Sequence, residues 1–329
     1  METAVTSTKV RIDEFLSIAA HIIMHSGDVM REVLSSGSLT TQFKGDVKEP
    51  FTEADVKIQT FIISGLKHHF PALNVQGEED VVYEGKFEVD PASFSKSSIS
   101  IGLFDGKVSE EFDTADSVVW VDPIDGTKSF ISGQLHHCTT LIGLAIKGQP
   151  TVGIIGHYYN LGADGKTLTY APKCYFSHAG YNKVFVVDVD KKIGTPAPID
   201  IPPVQEFDEV AKKLRVPRGS DTTQDRNILA VLGKKFAVEA NDEAGAGHLM
   251  LEVLLNNSDV YVEPKNHSKR WDICAGDALI RSAGFYFTDF NGEKYTYPQV
   301  KVGHYNENGT VCARNKRVLE LVIEALKEL

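Results

Sequence analysis

The chain has 329 residues, with 34 Lys+Arg against 45 Asp+Glu and a net charge of −11 at pH 7. That sign excludes a surface built for a nucleic-acid backbone, and no run approaches the ~20 apolar residues of a membrane-spanning helix. Hydrophobic residues at 42% and charged residues at 24% are ordinary for a globular chain, of about two domains or one large layered domain. The acidic excess is therefore either solvated surface or, in part, a carboxylate cluster that holds cations.

The start, Met1-Glu2-Thr3-Ala4, has an acid and no apolar core, so no signal peptide is expected. Residues 10–36 carry Val10, Phe15, Ile18, Ala19, Ile22, Ile23, Val29 and Val33 near the helical period, with Gly37 as the stop. Residues 52–67 predict a second amphipathic helix capped by Thr52, with Glu53 and Asp55 in its first turn. Leu73–Gln76 reads as a short strand entering Gly77. Residues 88–116, rich in Ser, Asp and Gly, form a flap or a hairpin. Strands are expected at Val118–Val121, Thr139–Ile146, Thr151–Gly156 and Lys183–Val187. Residues 190–206 hold four of the 13 prolines and mark a boundary. Beyond it, Ile228–Leu232 reads as a strand, 245–256 as a helix, Asp259–Val262 as a strand, 271–283 as a helix, Phe285–Thr288 as a strand and 315–328 as a helix. Strands alternating with helices indicate an α/β region.

The densest chemical signal is Trp120-Val121-Asp122-Pro123-Ile124-Asp125-Gly126-Thr127. An apolar strand ends in two acids around a proline that removes a donor. Both carboxylates and the Ile124 carbonyl can face one point, an oxygen set suited to Mg²⁺. Gly126 admits a close approach, and the amides of Gly126, Thr127 and Lys128 form an anion site if a helix starts there. The bland alternative is an Asp-rich loop with a capping Thr. Gly77-Glu78-Glu79-Asp80 also follows a strand, and read alone it is an exposed acidic turn. Trp271-Asp272 opens a helix, where Asp272 is equally a first-turn acid. Together these patches place Glu78, Asp122, Asp125 and Asp272 where strands end or helices begin, the usual ligand position in α/β folds.

These residues resemble the inositol monophosphatase superfamily of Mg²⁺-dependent, lithium-sensitive phosphatases. The matching motifs are GEED at 77–80, WVDPIDGTKSF at 120–130 and WDICAGDALIRSAG at 271–284. The phrasing of VVWVDPIDGTKSFISG, TTLIGLAIKG, GHYYN and the GAG at 245–247 is most similar to the 3′(2′),5′-bisphosphate nucleotidase branch. The likeness runs from about residue 12 to 320. It implies a layered αβαβα sandwich, with an α+β half at 1–180 and an α/β half at 181–329 that carries Asp272. It implies metal ligation by Glu78, Asp122, Asp125, Asp272 and the Ile124 carbonyl, with roughly two or three Mg²⁺ ions per site and Li⁺ as inhibitor. Asp55 and Thr127 are then the catalytic pair that orients and deprotonates the attacking water. Substrate contacts fall to Gly126, Thr127, Lys128, Ser220, Gly245, Gly247, Glu263 and Asp272.

The branch usually has a His near 220 and a Lys near 249, where this chain has Ser220 and Leu249. Lys269-Arg270 is either a compensating phosphate ligand pair or solvated charge. Glu263 stands near a glutamate that contacts inositol hydroxyls in inositol monophosphatases; by its position it is also simply a strand-end charge. His136-His137 read as loop residues, Tyr158-Tyr159 as packing. Cys138, Cys174, Cys274 and Cys312 lack CxxC spacing, so unreactive core thiols in a cytoplasmic protein are expected.

The expected activity removes the 3′-phosphate of 3′-phosphoadenosine 5′-phosphate, giving AMP and phosphate. The alternatives are an inositol polyphosphate 1-phosphatase or dual-specificity enzyme, and a catalytically weak phosphate-sensing module. The expected partner is a small phosphorylated molecule, with no nucleic-acid polymer and no membrane, and with the oligomeric state left open.

Overall fold

The computed structural model describes residues 8–37, 41–44, 49–94, 110–179, 182–188, 197–208, 210–218, 222–242, 245–300 and 305–329. In chain order the elements begin with β1 (Lys9–Arg11), α1 (Ile12–Ser36), β2 (Thr41–Lys44), β3 (Glu49–Thr52), α2 (Glu53–His69) and β4 (Val75–Gly77). β5 (Glu111–Asp113), β6 (Ser117–Asp125), α3 (Thr127–Ile131), β7 (Thr139–Ile146), β8 (Gln149–Leu161) and β9 (Leu168–His178) follow. Then come β10 (Phe185–Asp188), β11 (Ala197–Pro198), β12 (Lys213–Arg218), α4 (Thr223–Gly233), β13 (Ala237–Asp242) and α5 (Ala246–Leu254). The chain closes with β14 (Val260–Glu263), α6 (Arg270–Ser282), β15 (Tyr286–Thr288), β16 (Thr310–Ala313) and α7 (Lys316–Leu326).

A seven-stranded sheet in the order β11-β10-β9-β8-β7-β6-β4 divides the molecule. Apolar side chains of α1 and α2, among them Phe15, Ile22, Ile58 and Phe61, form one core with Val119, Ile142 and Ile154 of the sheet. On the other face Trp120, Leu141 and Ile155 meet Leu249 and Met250 of α5 and Trp271 and Ala275 of α6. A third core joins β12, β14 and β16 to α4 and α7 through Leu214, Val260, Val311, Leu232 and Val322. The layers thus run helix, sheet, helix, sheet, helix, as the resemblance implied.

Local chemistry explains the elements that carry the site. Gly37 closes α1 in the left-handed region at φ 68°, which glycine enters without a Cβ penalty. Thr52 and Asp55 form a reciprocal capping box at the start of α2. All nine residues of β6 are buried because the strand lies between β4 and β7 with helices on both faces. A strand so covered reads as a continuous apolar run rather than an alternation. Its register with β7 shifts between Asp122 and Asp125, where Pro123 cannot donate to the ladder. The α6 helix lies flush on the sheet. A Cβ on Gly153 would stand 2.1 Å from the Ala275 carbonyl oxygen, and one on Gly143 would stand 2.6 Å from the Ala275 amide.

Several expectations are corrected. Ile228–Leu232 is not a strand but part of α4. Its apolar run is short, and Ile228, Val231 and Leu232 fall on one helical face below a Thr222–Asp225 capping box; the cap decides what the run alone does not. Strands β12 and β13 flank it, pairing in parallel. β9 and β16 also escaped the reading. β9 contains Pro172 and Lys173, and β16 is a four-residue fully buried strand too short to show a period. Of residues 88–116, 95–109 lie outside the described residues, while Glu111–Asp113 pairs antiparallel with β1. The large sheet also takes in β10 and β11, beyond residue 180.

Candidate active site

The site is built at the carboxyl end of β6. Pro123 is held by the Thr140 hydroxyl, which donates to its carbonyl at 2.8 Å. Asp122 is 1% exposed, and its Oδ1 has no hydrogen-bond partner. The Asp125 carboxylate is fully engaged: Oδ1 accepts from the Ala246 amide at 2.8 Å, and Oδ2 from the Gly247 amide at 2.8 Å and the Thr139 hydroxyl at 2.7 Å. Gly126 turns left-handed at φ 88° and leads into α3, so Thr127 and Lys128 open a helical turn.

Asp55 reaches this turn from α2. Its Oδ2 accepts from the Thr52 amide at 2.7 Å and the Thr52 hydroxyl at 2.6 Å. Its Oδ1 accepts from the Thr127 hydroxyl at 3.2 Å, and that hydroxyl also lies 3.0 Å from the Ile124 carbonyl. The expected Asp55–Thr127 pair is therefore formed between residues 72 positions apart. The GEED turn is fixed by Gln59, whose amide group donates to the Glu79 carbonyl at 2.7 Å and accepts from the Glu79 amide at 2.8 Å. Gly77 is required beneath it, because a Cβ there would meet Gln59 Oε1 at 2.3 Å. The Glu78 amide continues the parallel pairing onto the Val121 carbonyl at 3.1 Å.

Asp272 arrives from the second half of the chain, in the first turn of α6, where its carboxylate accepts from the Lys269 amide and meets the positive end of the helix. Burial pushes the Asp122 carboxyl well above the ordinary carboxylate range, reinforced by Glu78, Asp125 and Asp272. Asp272 is raised likewise, by desolvation and then by Glu78, Glu263 and Asp125. Burial lifts Asp125 to about 6 against its three hydrogen bonds. It lifts Asp55 to about 7, with the Thr52 hydroxyl opposing and Glu78 and Glu79 adding to the rise. Negative charges removed from water and set beside one another resist ionisation.

Among the described residues no three His, Cys, Asp or Glu side chains form a ready-made coordination group. The donors nevertheless fit a hard cation. They are carboxylates and a carbonyl, mutually repelling, with an orphaned buried oxygen on Asp122; a bound cation relieves both the repulsion and the lost hydrogen bond.

Of the remaining expected residues, some adjoin this centre and others do not. The backbone of Gly245–Gly247 faces Asp125, since a Cβ on Gly245 or Gly247 would lie 2.8 Å or 3.0 Å from Asp125 Oδ2. Glu263 ends β14 buried, with Oε1 3.3 Å from His267 Nδ1 and Oε2 without a partner, and it acts on both Asp125 and Asp272. Ser220 lies outside the described residues. Leu249 is a core residue. Arg270 is half-buried: its guanidinium lies 4.7 Å from the Tyr295 ring and donates to the Thr296 carbonyl at 3.0 Å. Lys269 is buried between the Trp271 and Tyr305 rings, at 5.2 and 5.3 Å. Tyr158 is buried packing, its hydroxyl donating to the Ile23 carbonyl at 2.8 Å. All four cysteines are buried and free. Among the described residues no helix is long and apolar enough to cross a membrane.

The sequence reading missed Gln59, Thr139 and Thr140. Gln59 gives no local signal, because its partner is 20 residues away. The paired Thr139-Thr140, entering an apolar strand, was the available clue to polar groups at a buried strand end.

Residues 11–329 match the sequence profile described as the Inositol monophosphatase family. A 3′(2′),5′-bisphosphate nucleotidase 1 of Dictyostelium discoideum is 28% identical over 320 residues, covering 93% of this chain and 94% of that one. A putative inositol monophosphatase 3 of Drosophila melanogaster is 25% identical over 306 residues, covering 88% and 75%. An IMPase structure from Thermotoga maritima superposes with a TM-score of 0.61 at 16% identity, covering 95% of this chain and 98% of that one.

Proposed function

The chain belongs to the inositol monophosphatase family and is a phosphatase, and from that premise we propose that it removes the 3′-phosphate of 3′-phosphoadenosine 5′-phosphate, giving AMP and phosphate in a Mg²⁺-dependent reaction. The observation that carries the reading is the convergence of Asp55, Asp122, Asp125 and Asp272 from three separated segments, with the Thr127 hydroxyl bonded to Asp55 at 3.2 Å. The bisphosphate nucleotidase similarity over most of the chain supports the nucleotide as substrate.

Glu78, Asp122, Asp125, Asp272 and the Ile124 carbonyl would hold the metal. Bound there, Mg²⁺ would offset the carboxylate charge and acidify water near the substrate phosphate. The chain's own residues do the rest. Thr127 orients a water through its hydroxyl, and Asp55 receives the proton at Oδ1. Thr52 holds the other Asp55 oxygen, so the base keeps its direction. The amides of Thr127 and Lys128, in the first turn of α3, would serve the phosphate oxygens. Phosphoryl transfer relies mainly on such positioning and charge neutralisation.

A second reading, an inositol polyphosphate 1-phosphatase or dual-specificity enzyme, is favoured by Glu263, whose unpartnered Oε2 is available to a hydroxyl near Asp125 and Asp272. Phosphate release from 3′-phosphoadenosine 5′-phosphate and inositol 1,4-bisphosphate, measured side by side with Mg²⁺ and then with added Li⁺, decides between them. Faster Li⁺-sensitive release from the nucleotide is expected. Comparable rates make the enzyme dual, and release from neither overturns the proposed activity.

A further inference from the structure

Asn306 lies in the turn that leads into β16. Its neighbours Tyr305, Glu307 and Asn308 are exposed, but Asn306 itself is 0% exposed. A polar side chain withdrawn from water needs partners among buried groups. It finds them 36 to 38 positions back, in the turn that enters α6. Its Nδ2 donates to the Ser268 hydroxyl at 2.6 Å and to the Lys269 carbonyl at 3.2 Å. Its Oδ1 accepts from the Arg270 guanidinium. The main chain adds to the hold. The Asn306 amide donates to the Ser268 carbonyl at 2.7 Å, and the Asn306 carbonyl accepts from the Asn266 amide at 3.1 Å. Lys269 and Tyr305 pair alongside as an antiparallel bridge.

The chemistry of these partners calls for an amide. A guanidinium can only donate, and a backbone carbonyl can only accept. The side chain between them must accept on one side and donate on the other, which asparagine does and neither aspartate nor leucine can. Arg270 is held from elsewhere by the Thr296 carbonyl at 3.0 Å and the Tyr295 ring at 4.7 Å, so the turn is fixed from two sides. A buried polar network with its members satisfied specifies one geometry. Here that geometry ends at the acidic centre. Lys269 immediately precedes α6, and its amide donates to the Asp272 carboxylate. One residue therefore links Asn306 to Asp272, by its carbonyl on one side and its amide on the other. The neighbouring acids repel Asp272, so its direction is set from behind, by the start of the helix.

We propose that Asn306 is a positioning residue for the cation site: it holds the backbone at Lys269 and, through it, the Asp272 carboxylate, in the place where a divalent cation is bound. The inference rests on the metal-dependent phosphatase reading above and deepens it, by adding to that site a residue outside all three acidic motifs. Asn306 acts through Lys269 and Asp272, so its loss weakens cation binding and leaves the chemical step intact once the cation is bound.

The test uses the full-length enzyme with Mg²⁺ and no substrate. Calorimetry should show the Mg²⁺ concentration for half-saturation rising roughly tenfold in Asn306→Ala, as when a group that orients a metal ligand is lost. Ser268→Ala removes one acceptor of the same side chain and should raise it about threefold, the scale of one neutral hydrogen bond; it carries the test if Asn306→Ala does not fold. Tyr158→Phe, which loses a buried hydrogen bond to the Ile23 carbonyl, should lower the thermal midpoint without changing Mg²⁺ binding. With substrate, kcat of Asn306→Ala should return to the parent value at saturating Mg²⁺. Unchanged Mg²⁺ binding in Asn306→Ala, or in Ser268→Ala where the first does not fold, overturns the proposal. So does an equal weakening in Tyr158→Phe, which marks a general loss of stability, and so does a kcat that stays low at saturating Mg²⁺. A parent enzyme that binds Mg²⁺ but hydrolyses no phosphate ester, with binding still weakened in the variants, sinks the assigned activity and supports the positioning role.

Discussion

Thr52 grips one oxygen of Asp55 with both its amide and its hydroxyl, at 2.7 and 2.6 Å, and leaves the other to Thr127. A cap and a candidate base are one residue pair, so the helix terminus and the chemistry stand or fall together. Thr127→Ala removes the hydroxyl and leaves the carboxylates. It should lower kcat by roughly a hundredfold or more, the usual range for lost acid–base positioning, while the Mg²⁺ concentration for half-maximal rate changes little. Asp122→Asn removes a charge from the centre of the acidic set and should abolish Mg²⁺-dependent phosphate release. Retained activity would show that Asp122 is not a ligand. The Asp122–Asp125 pair was legible because both acids lie in one short motif. The role of Gln59 was not, because a glutamine on a helix says nothing of a turn 20 residues later.

At the scale of elements, α6 delivers Asp272 only because it sits directly on the sheet. Gly143 and Gly153 leave no side chain between the strands and the Ala275 backbone. Gly153→Ala would set a Cβ 2.1 Å from the Ala275 carbonyl oxygen. It should destabilise the fold by about 1–3 kcal/mol and raise the Mg²⁺ requirement, since the start of α6 must shift; denaturant melts and Mg²⁺ titrations of rate read the two effects. Thr52→Ala should cost about 1 kcal/mol of stability through the lost cap and lower kcat as well. Element types followed the sequence where periodicity was long, as in α1, α2 and α6. They failed at α4, where a five-residue apolar run fits either period, and at β9, whose Pro172 and Lys173 masked a strand paired on both sides.

For the whole molecule, the raised carboxyls have a consequence for stability. Asp55 and Asp125 titrate near 7 and 6 when folded, above the ordinary range of the unfolded chain. The folded state therefore holds more protons than the unfolded one between about pH 4 and 7. Its stability is fullest at the acid end of that window and declines as pH rises through the folded values. Without Mg²⁺ the thermal midpoint should fall between about pH 5 and 8; with saturating Mg²⁺ it should rise and the decline should flatten. A midpoint indifferent to Mg²⁺ at pH 8 would separate the acidic cluster from cation binding. The sequence by itself determined the acids, the proline and glycine between them, the layered fold class and the family, because these are local chemistry in a fixed order. The Asp55–Thr127 pair was implied by the family resemblance, not by any local pattern; only the tertiary structure decided its 3.2 Å contact, that the start of α5 closes on Asp125, and that the four histidine rings of His136, His137, His157 and His248 share one corner. Those contacts join residues from 72 to 122 positions apart or rings from separate strands and turns. The packing of helices on one sheet sets such distances, and no local pattern encodes them.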